Sequence, residues 1–327
     1  MNRRKVLAGA AALAAAAASP ITAFGQAAPL RIGLTIWPGW MPWWIVTEKE
    51  MLKAAGANAE IVFFKRHPDG MAAFAGKQLD AHHMILADVI IPASKGVPGQ
   101  VVLITDESSG ADGILAKPEI TSIADFKGKR IAYEFGGVSQ LILTRALATV
   151  GLTIDDIDSV NMSSEDSGTA FMAGALDVAV TWEPYLGQAV KDGKGKVIFS
   201  TKDTPGLVPD LLVFRKEAVE SRADDINKVL AAWQMALKYM ETNETEAYEI
   251  MANGAGITPD EMRANMAGVK LYTIAENVAA FDTSKPGNLV ENIKEQSVFL
   301  KEHEVIDDLP VAEDLVAPQF VIAANKG

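Results

Sequence analysis

Apolar positions fall into short continuous runs separated by longer mixed stretches. Leu30-Arg31-Ile32-Gly33-Leu34-Thr35-Ile36 predicts a first strand, ended by Trp37-Pro38-Gly39. A mixed stretch over 42–53 predicts a helix stopped near Gly56, and the run 59–64 predicts a second strand. His67-Pro68-Asp69-Gly70 reads as a loop that opens a helix over 71–78. Strands are predicted at 101–105, 130–133, 159–162, 196–200 and 210–214, and a helix at 139–150 stopped by Gly151. From Asp224 the period changes. Ile226, Val229, Leu230, Trp233, Ala236, Leu237 and Met240 follow 3.6-residue spacing, which predicts a core-facing amphipathic helix with Trp233 inside. Thr258-Pro259-Asp260-Glu261 starts another helix with a favourable cap.

One phrase occurs twice in this pattern. Ala73-Phe74 and Leu79-Asp80 lead into Ala81-His82-His83-Met84; Ala170-Phe171 and Leu176-Asp177 lead into Val178-Ala179-Val180-Thr181. Each copy reads as a helix end, a tight Leu-Asp turn, a buried strand and a loop. Short apolar strands alternating with helices predict an α/β chain with parallel or mixed sheets covered on both faces. A repeated helix–strand–loop device predicts two similar lobes, with a ligand cleft between them. The expected division is lobe 1 from 28–115 plus 210–327 and lobe 2 from 116–209. The chain then crosses between lobes near Leu115 and again near Asp210, and two such crossings make a hinge. The first phrase ends in Ile85-Leu86-Ala87-Asp88 and the second in Trp182-Glu183-Pro184-Tyr185. Ile85, Leu86, Trp182 and Glu183 are therefore expected to face one another across the cleft.

Charge and composition narrow the class. Residues 1–27 hold a basic start, an Ala-rich apolar run and Gly25-Gln26-Ala27, which together predict a cleaved secretory signal peptide. Arg3-Arg4 allows either the twin-arginine or the general secretory route. The leader carries three of the 30 basic residues, so the rest has 27 basic against 42 acidic residues, a net charge of −15. Such a surface disfavours nucleic acid as a partner. Without cysteine there is no disulfide framework, thiolate chemistry or lipid-anchored Cys.

Catalytic patterns are incomplete. Gly137-Val138-Ser139-Gln140-Leu141 lacks the last glycine of a nucleophile elbow, and His303-Glu304 lacks the second histidine of a zinc-protease helix. His82 and His83 are adjacent on a strand and point to opposite faces, so joint metal binding is not expected. No cofactor motif is present.

Binding features are richer. Four of six tryptophans lie within 37–44. Trp37 and Trp40, on the loop, are candidates to stack on a planar group or hold a cation. Trp43 and Trp44 are expected to pack under the following helix. Gly137, Val138 and Ser139 open a helix whose N–H groups suit an anionic group. Asp112, Glu183 and Asp210, near the crossings, could converge on a cationic group or serve the hinge alone.

The order strand–Trp-Pro-Gly, Leu-Asp-strand, Gly110-Ala111-Asp112-Gly113-Ile114, Leu176-Asp177 through Trp182-Glu183-Pro184-Tyr185, and Thr204-Pro205-Gly206-Leu207-Val208-Pro209-Asp210 resembles the nitrate/sulfonate/taurine-type substrate-binding proteins of ABC transporters. The resemblance implies a two-lobed periplasmic-binding-protein fold with two crossovers. It also implies a periplasmic protein that captures a small-molecule ligand and docks on a permease and its ATPase; the chain is expected to act as a monomer. It places Asp210 at the position that holds an amine, Gly137, Val138 and Ser139 at the oxyanion-holding helix start, and Trp182 at the interlobe aromatic. Trp37-Pro38-Gly39-Trp40 and Gly110-Ala111-Asp112-Gly113 resemble a branch associated with urea or guanidine genes, so taurine-like and guanidine-like ligands both stay open. Nitrate or a thiamine pyrimidine precursor is an alternative cargo. A secreted serine hydrolase using Ser139 with His82 or His83 is the alternative of another class.

Overall fold

The computed structural model describes residues 27–97, 99–204 and 206–326; the leader lies outside the described residues except for Ala27. Strands β1 (Leu30–Leu34), β2 (Ala59–Phe63), β3 (Ala81–Ile85) and β4 (Gly99–Ser108) come first, followed by β5 (Asp112–Ala116), β6 (Arg130–Tyr133), β7 (Asp158–Asn161), β8 (Val178–Trp182) and β9 (Lys196–Ser200). Strands β10 (Pro209–Arg215) and β11 (Val269–Leu271) follow. They form two sheets, ordered β11-β4-β10-β3-β1-β2 and β7-β6-β8-β5-β9.

Both sheets follow one plan. In the first, β1 pairs parallel with β2 and β3; in the second, β6 pairs parallel with β7 and β8. An antiparallel strand then lies against the phrase-bearing strand, β10 on β3 and β5 on β8. The repeated Leu-Asp phrase thus precedes equivalent strands. Their residues are buried on both faces, as a strand covered by helices requires. Register carries the correspondence to single residues: Ile85 lies opposite Asp210, and Trp182 opposite Asp112.

The lobe boundary expected at Leu115 moves. Ile114-Leu115-Ala116 is a fully buried apolar run inside β5, ladder-bonded to β8 and β9 of the second sheet. The first crossing therefore occurs earlier, at Ser109–Ala111, where Gly110 takes φ +120. The second crossing joins β9 to β10. The two are tied together: the Thr201 hydroxyl lies 2.8 Å from the Ser108 hydroxyl and accepts from the Gly110 N–H at 2.7 Å.

The helix Ala223–Thr242 buries Ile226, Val229, Leu230, Trp233 and Ala236 against the first lobe, while Leu237 and Met240 are half-buried. Thr258 caps the helix Pro259–Met266 by a reciprocal pair with Glu261. Two helices depart from the pattern-based reading. The stretch over 42–53 is two helices, Pro42–Glu48 and Met51–Ala54, separated by Glu50 at φ 48. The segment read as a loop at 67–70 is the first turn of the helix His67–Ala75, because Pro68 supplies its preset φ where no N–H is needed.

Candidate functional site

A small cavity lies between the lobes, at the carboxyl ends of β3 and β8 and beside both crossings. Its volume is about 30 Å³, where one buried water needs about 10–15 Å³. Its lining includes Trp37, Trp40, Ile85, Asp112, Gly137, Val138, Trp182 and Asp210 from the sequence-based candidates, and adds Thr35, His67, Asp88, Glu134 and Val208.

The aromatic wall comes from both lobes. Trp37 and Trp40 stand edge to face at 6.4 Å, and Trp182 meets His67 edge-on at 6.4 Å. The other two tryptophans of the cluster are structural. Trp43 packs on Trp233 at 5.0 Å, and Trp44 stacks on Phe63 at 3.8 Å. The Trp40 and Trp182 indole N–H groups are buried without a hydrogen-bond partner.

Four carboxylates line the cavity: Asp88, Asp112, Glu134 and Asp210. Asp88 is paired, its Oδ2 lying 2.8 Å from His67 Nε2. Burial pulls the His67 imidazole down, but the Asp88 charge and hydrogen bond outweigh it, so its pKa is raised. The other three acids form no ion pair among the described residues, and no Lys or Arg lines the cavity, though His67 and Arg66 lie near Glu134. Burial pushes Asp112 up to about 7, against the Ser108 hydrogen bond and with help from Asp106 and Glu183. Burial likewise pushes Glu134 to about 7, with Asp88 adding to it and the nearby His67 and Arg66 charges opposing it. Asp210 is raised well above the carboxylate range by burial and by Asp106 and Asp112. One oxygen each of Asp112 and Asp210 is buried with no partner. A buried polar atom left in that state costs about 1–3 kcal/mol, more when charged.

Three candidates lie away from the cavity. Leu86 is the first residue of the helix Leu86–Ser94 and is buried in the core. Ser139 is buried with its Oγ 2.6 Å from Ser164 Oγ. Glu183 sits at the hinge, where its carboxylate accepts from the Gly187 N–H at 2.8 Å and its own N–H bonds the Ala111 carbonyl at 2.8 Å. The hydrolase alternative loses its geometry as well. Ser139 has Ser164 as its partner, while His82 and His83 are fully buried in the first lobe with no hydrogen-bond partner on either ring. Burial lowers His82 to about 3 and His83 well below its usual range.

His67, Asp88 and Glu134 had weak local signals. Asp88 closes the first copy of the phrase, Glu134 stands just before Phe135-Gly136-Gly137, and His67 opens a turn-like His-Pro-Asp-Gly. Each is brought in by a helix start or strand end, which the pairing of elements alone positions.

Two sheets of like plan, two tied crossings and a cavity between them define a periplasmic-binding-protein fold. The chain belongs to the NMT1-like family, whose profile matches residues 25–254. A protein named as a binding protein in Brucella abortus (strain 2308) is 25% identical over 264 residues, which is 79% of this chain and 82% of that one. One named as an aliphatic sulfonates-binding protein in Bacillus subtilis (strain 168) is 24% identical over 234 residues, 70% of each chain. The solved alkanesulfonate-binding protein SsuA from Xanthomonas axonopodis pv. citri, bound to MOPS, is similar with a TM-score of 0.73 at 18% identity, over 89% of this chain and 98% of that one.

Proposed function

We propose that this chain is the solute-binding component of an ABC importer and that its cargo is a small organic nitrogen cation of the amine or guanidinium class. The observation that carries the cargo is the charge of the cavity. Three carboxylates form no ion pair, two of them with unpartnered buried oxygens, and indoles from both lobes line the cavity. A cation draws these acids into their charged form and is held by them; a simple anion such as nitrate or an alkanesulfonate gains no such attraction. A zwitterion of the taurine kind is the second reading. The N–H groups where the helix Val138–Ala148 begins, with the free indole N–H groups of Trp40 and Trp182, support an oxyanion at the other end of the ligand.

In this reading no bond is made or broken. Cargo entering the open cleft gains contacts from the second lobe, which shifts the population toward the closed form that a permease and its ATPase would accept. The leader directs export, and the chain works as a monomer.

A thermal-shift panel of amines, guanidinium salts, taurine, alkanesulfonates and nitrate tests the reading. A cation at 100 times its Kd is expected to stabilise the protein by about 2.7 kcal/mol. Stabilisation by sulfonates or nitrate with none by cations would overturn it. Stabilisation by taurine alone selects the zwitterion.

A further inference from the structure

Behind the cavity lies a second acid that the binding site does not expose. Asp106 on β4 is directly opposite Asp210 on β10 in the antiparallel ladder, and both are buried. Directly opposite residues share a face of the sheet, so the two carboxyl groups are neighbours. Asp106 accepts from the Trp37 indole N–H at 2.8 Å through Oδ1 and from the Thr105 hydroxyl at 2.9 Å through Oδ2. Gly39 makes room for this: a Cβ there would stand 2.0 Å from Asp106 Oδ1. Trp37, Gly39 and Asp106 are thus one fitted unit beneath the cavity floor.

The groups facing the pair are all acidic or neutral. Asp112 approaches from β5 and Asp88 from the helix Leu86–Ser94. Glu107 follows Asp106 but is held by the Tyr272 hydroxyl at 2.9 Å and the Gly206 N–H at 2.7 Å. Lys270 of the adjoining β11 pairs instead with Glu276. The nearby His67 is engaged by Asp88 and no Lys or Arg lines the cavity, so two buried opposed carboxyl groups cannot both ionise.

We propose that Asp106 and Asp210 share one proton in the ligand-free protein, and that Asp106 is a positioning residue that sets, through Asp210 and Trp37, the charge the cavity presents. Two fixed donors favour Asp106 as the ionised member, so the proton resides on Asp210, which donates to it. Burial raises both groups; the Trp37 and Thr105 hydrogen bonds oppose this at Asp106, while the neighbouring acids add to it at Asp210. An entering cation releases that proton, and Asp210 then meets the cargo as a carboxylate. This consequence rests on the cation reading; the shared proton itself does not.

The Trp37 indole N–H reports on the pair directly. In ¹H–¹⁵N spectra of the full mature chain without ligand, its resonance is assigned by Trp37→Phe and followed from pH 5 to 9. The wild type and Asp112→Asn are expected to show a Trp37 titration, whereas Asp106→Asn and Asp210→Asn are expected to lose it. The core indoles Trp43 and Trp233 serve as fold markers. Should Asp106→Asn fail to fold, Asp210→Asn against Asp112→Asn decides. A Trp37 resonance with the same position and pH response in Asp210→Asn as in the wild type would overturn the proposal. Because no ligand is present, cation binding with a Trp37 signal indifferent to Asp210→Asn refutes only the shared proton, and a responsive Trp37 signal with sulfonate binding refutes only the cation reading.

Discussion

Asp112 and Asp210 occupy equivalent places in two lobes, each opposite the last residue of a phrase-bearing strand, and each leaves an oxygen unpartnered. Their replacement therefore has two opposite effects. Asp210→Asn or Asp112→Asn removes a charge-assisted contact worth about 1.5–3 kcal/mol, so affinity for a cationic probe is expected to fall about 10- to 100-fold by titration calorimetry. The ligand-free protein responds the other way. Asp112 holds its proton up to about pH 7 when folded, well above its unfolded value, so between those limits the folded state binds more protons. The contribution to stability is greatest at acid pH and is lost as pH rises through 7. The Tm of the ligand-free protein is expected to change less between pH 5.5 and 8 in Asp112→Asn than in the wild type. An equal pH dependence in both would remove Asp112 from this account. Trp233, fully buried against Trp43, has a purely structural part: Trp233→Ala is expected to cost about 3–5 kcal/mol in urea unfolding and to leave cavity contacts in place.

Secondary elements show where pattern reading succeeds. β3 and β8 were legible because apolar runs after Leu-Asp can hardly be anything but buried strands, and the 3.6-period of 226–240 can only face a core. Pattern also separated Trp43 and Trp44, on the helix Pro42–Glu48, from Trp37 on the loop before it. Boundaries failed where neighbouring segments share a composition. β5 looked like the end of one lobe because Val101–Thr105 and Ile114–Ala116 are both apolar, and only ladder partners separate them. The crossings themselves depend on small polar groups. Thr201→Val keeps the shape but leaves the Gly110 N–H and Ser108 hydroxyl without their partner. A loss of about 1–3 kcal/mol is expected in denaturant unfolding, with altered closure seen as a changed scattering radius on adding ligand.

At the scale of the whole molecule, the lobes touch through more than ligand. The buried Glu165 of the second lobe accepts from the His67 N–H of the first at 2.9 Å. Arg66–Asp166 and Lys191–Glu261 span the same gap at 2.9 and 2.6 Å, but are exposed and contribute little. Glu165→Ala is expected to depopulate the closed form and weaken binding several-fold with every cavity side chain intact, because apparent affinity scales with the competent fraction. Small-angle scattering should then show a larger ligand-free particle. Unchanged affinity and radius would assign closure to the cavity alone.

The sequence by itself determined the class of fold, the pairing of two like lobes, and the residue types at the crossings. These follow from local periodicity and from chemistry that travels with short motifs. It also placed most of the cavity wall, since Trp37, Asp112, Trp182 and Asp210 each sit at a strand end or turn that a pattern can find. Only the tertiary structure decided that Leu86, Ser139 and Glu183 face elsewhere, that His67, Asp88 and Glu134 join the site, and that Asp106 lies behind Asp210. The reason is physical. Register between distant strands and the rotation of helix starts are set by contacts across scores of residues, so the sign and strength of the cavity's charge arise only when the two lobes meet.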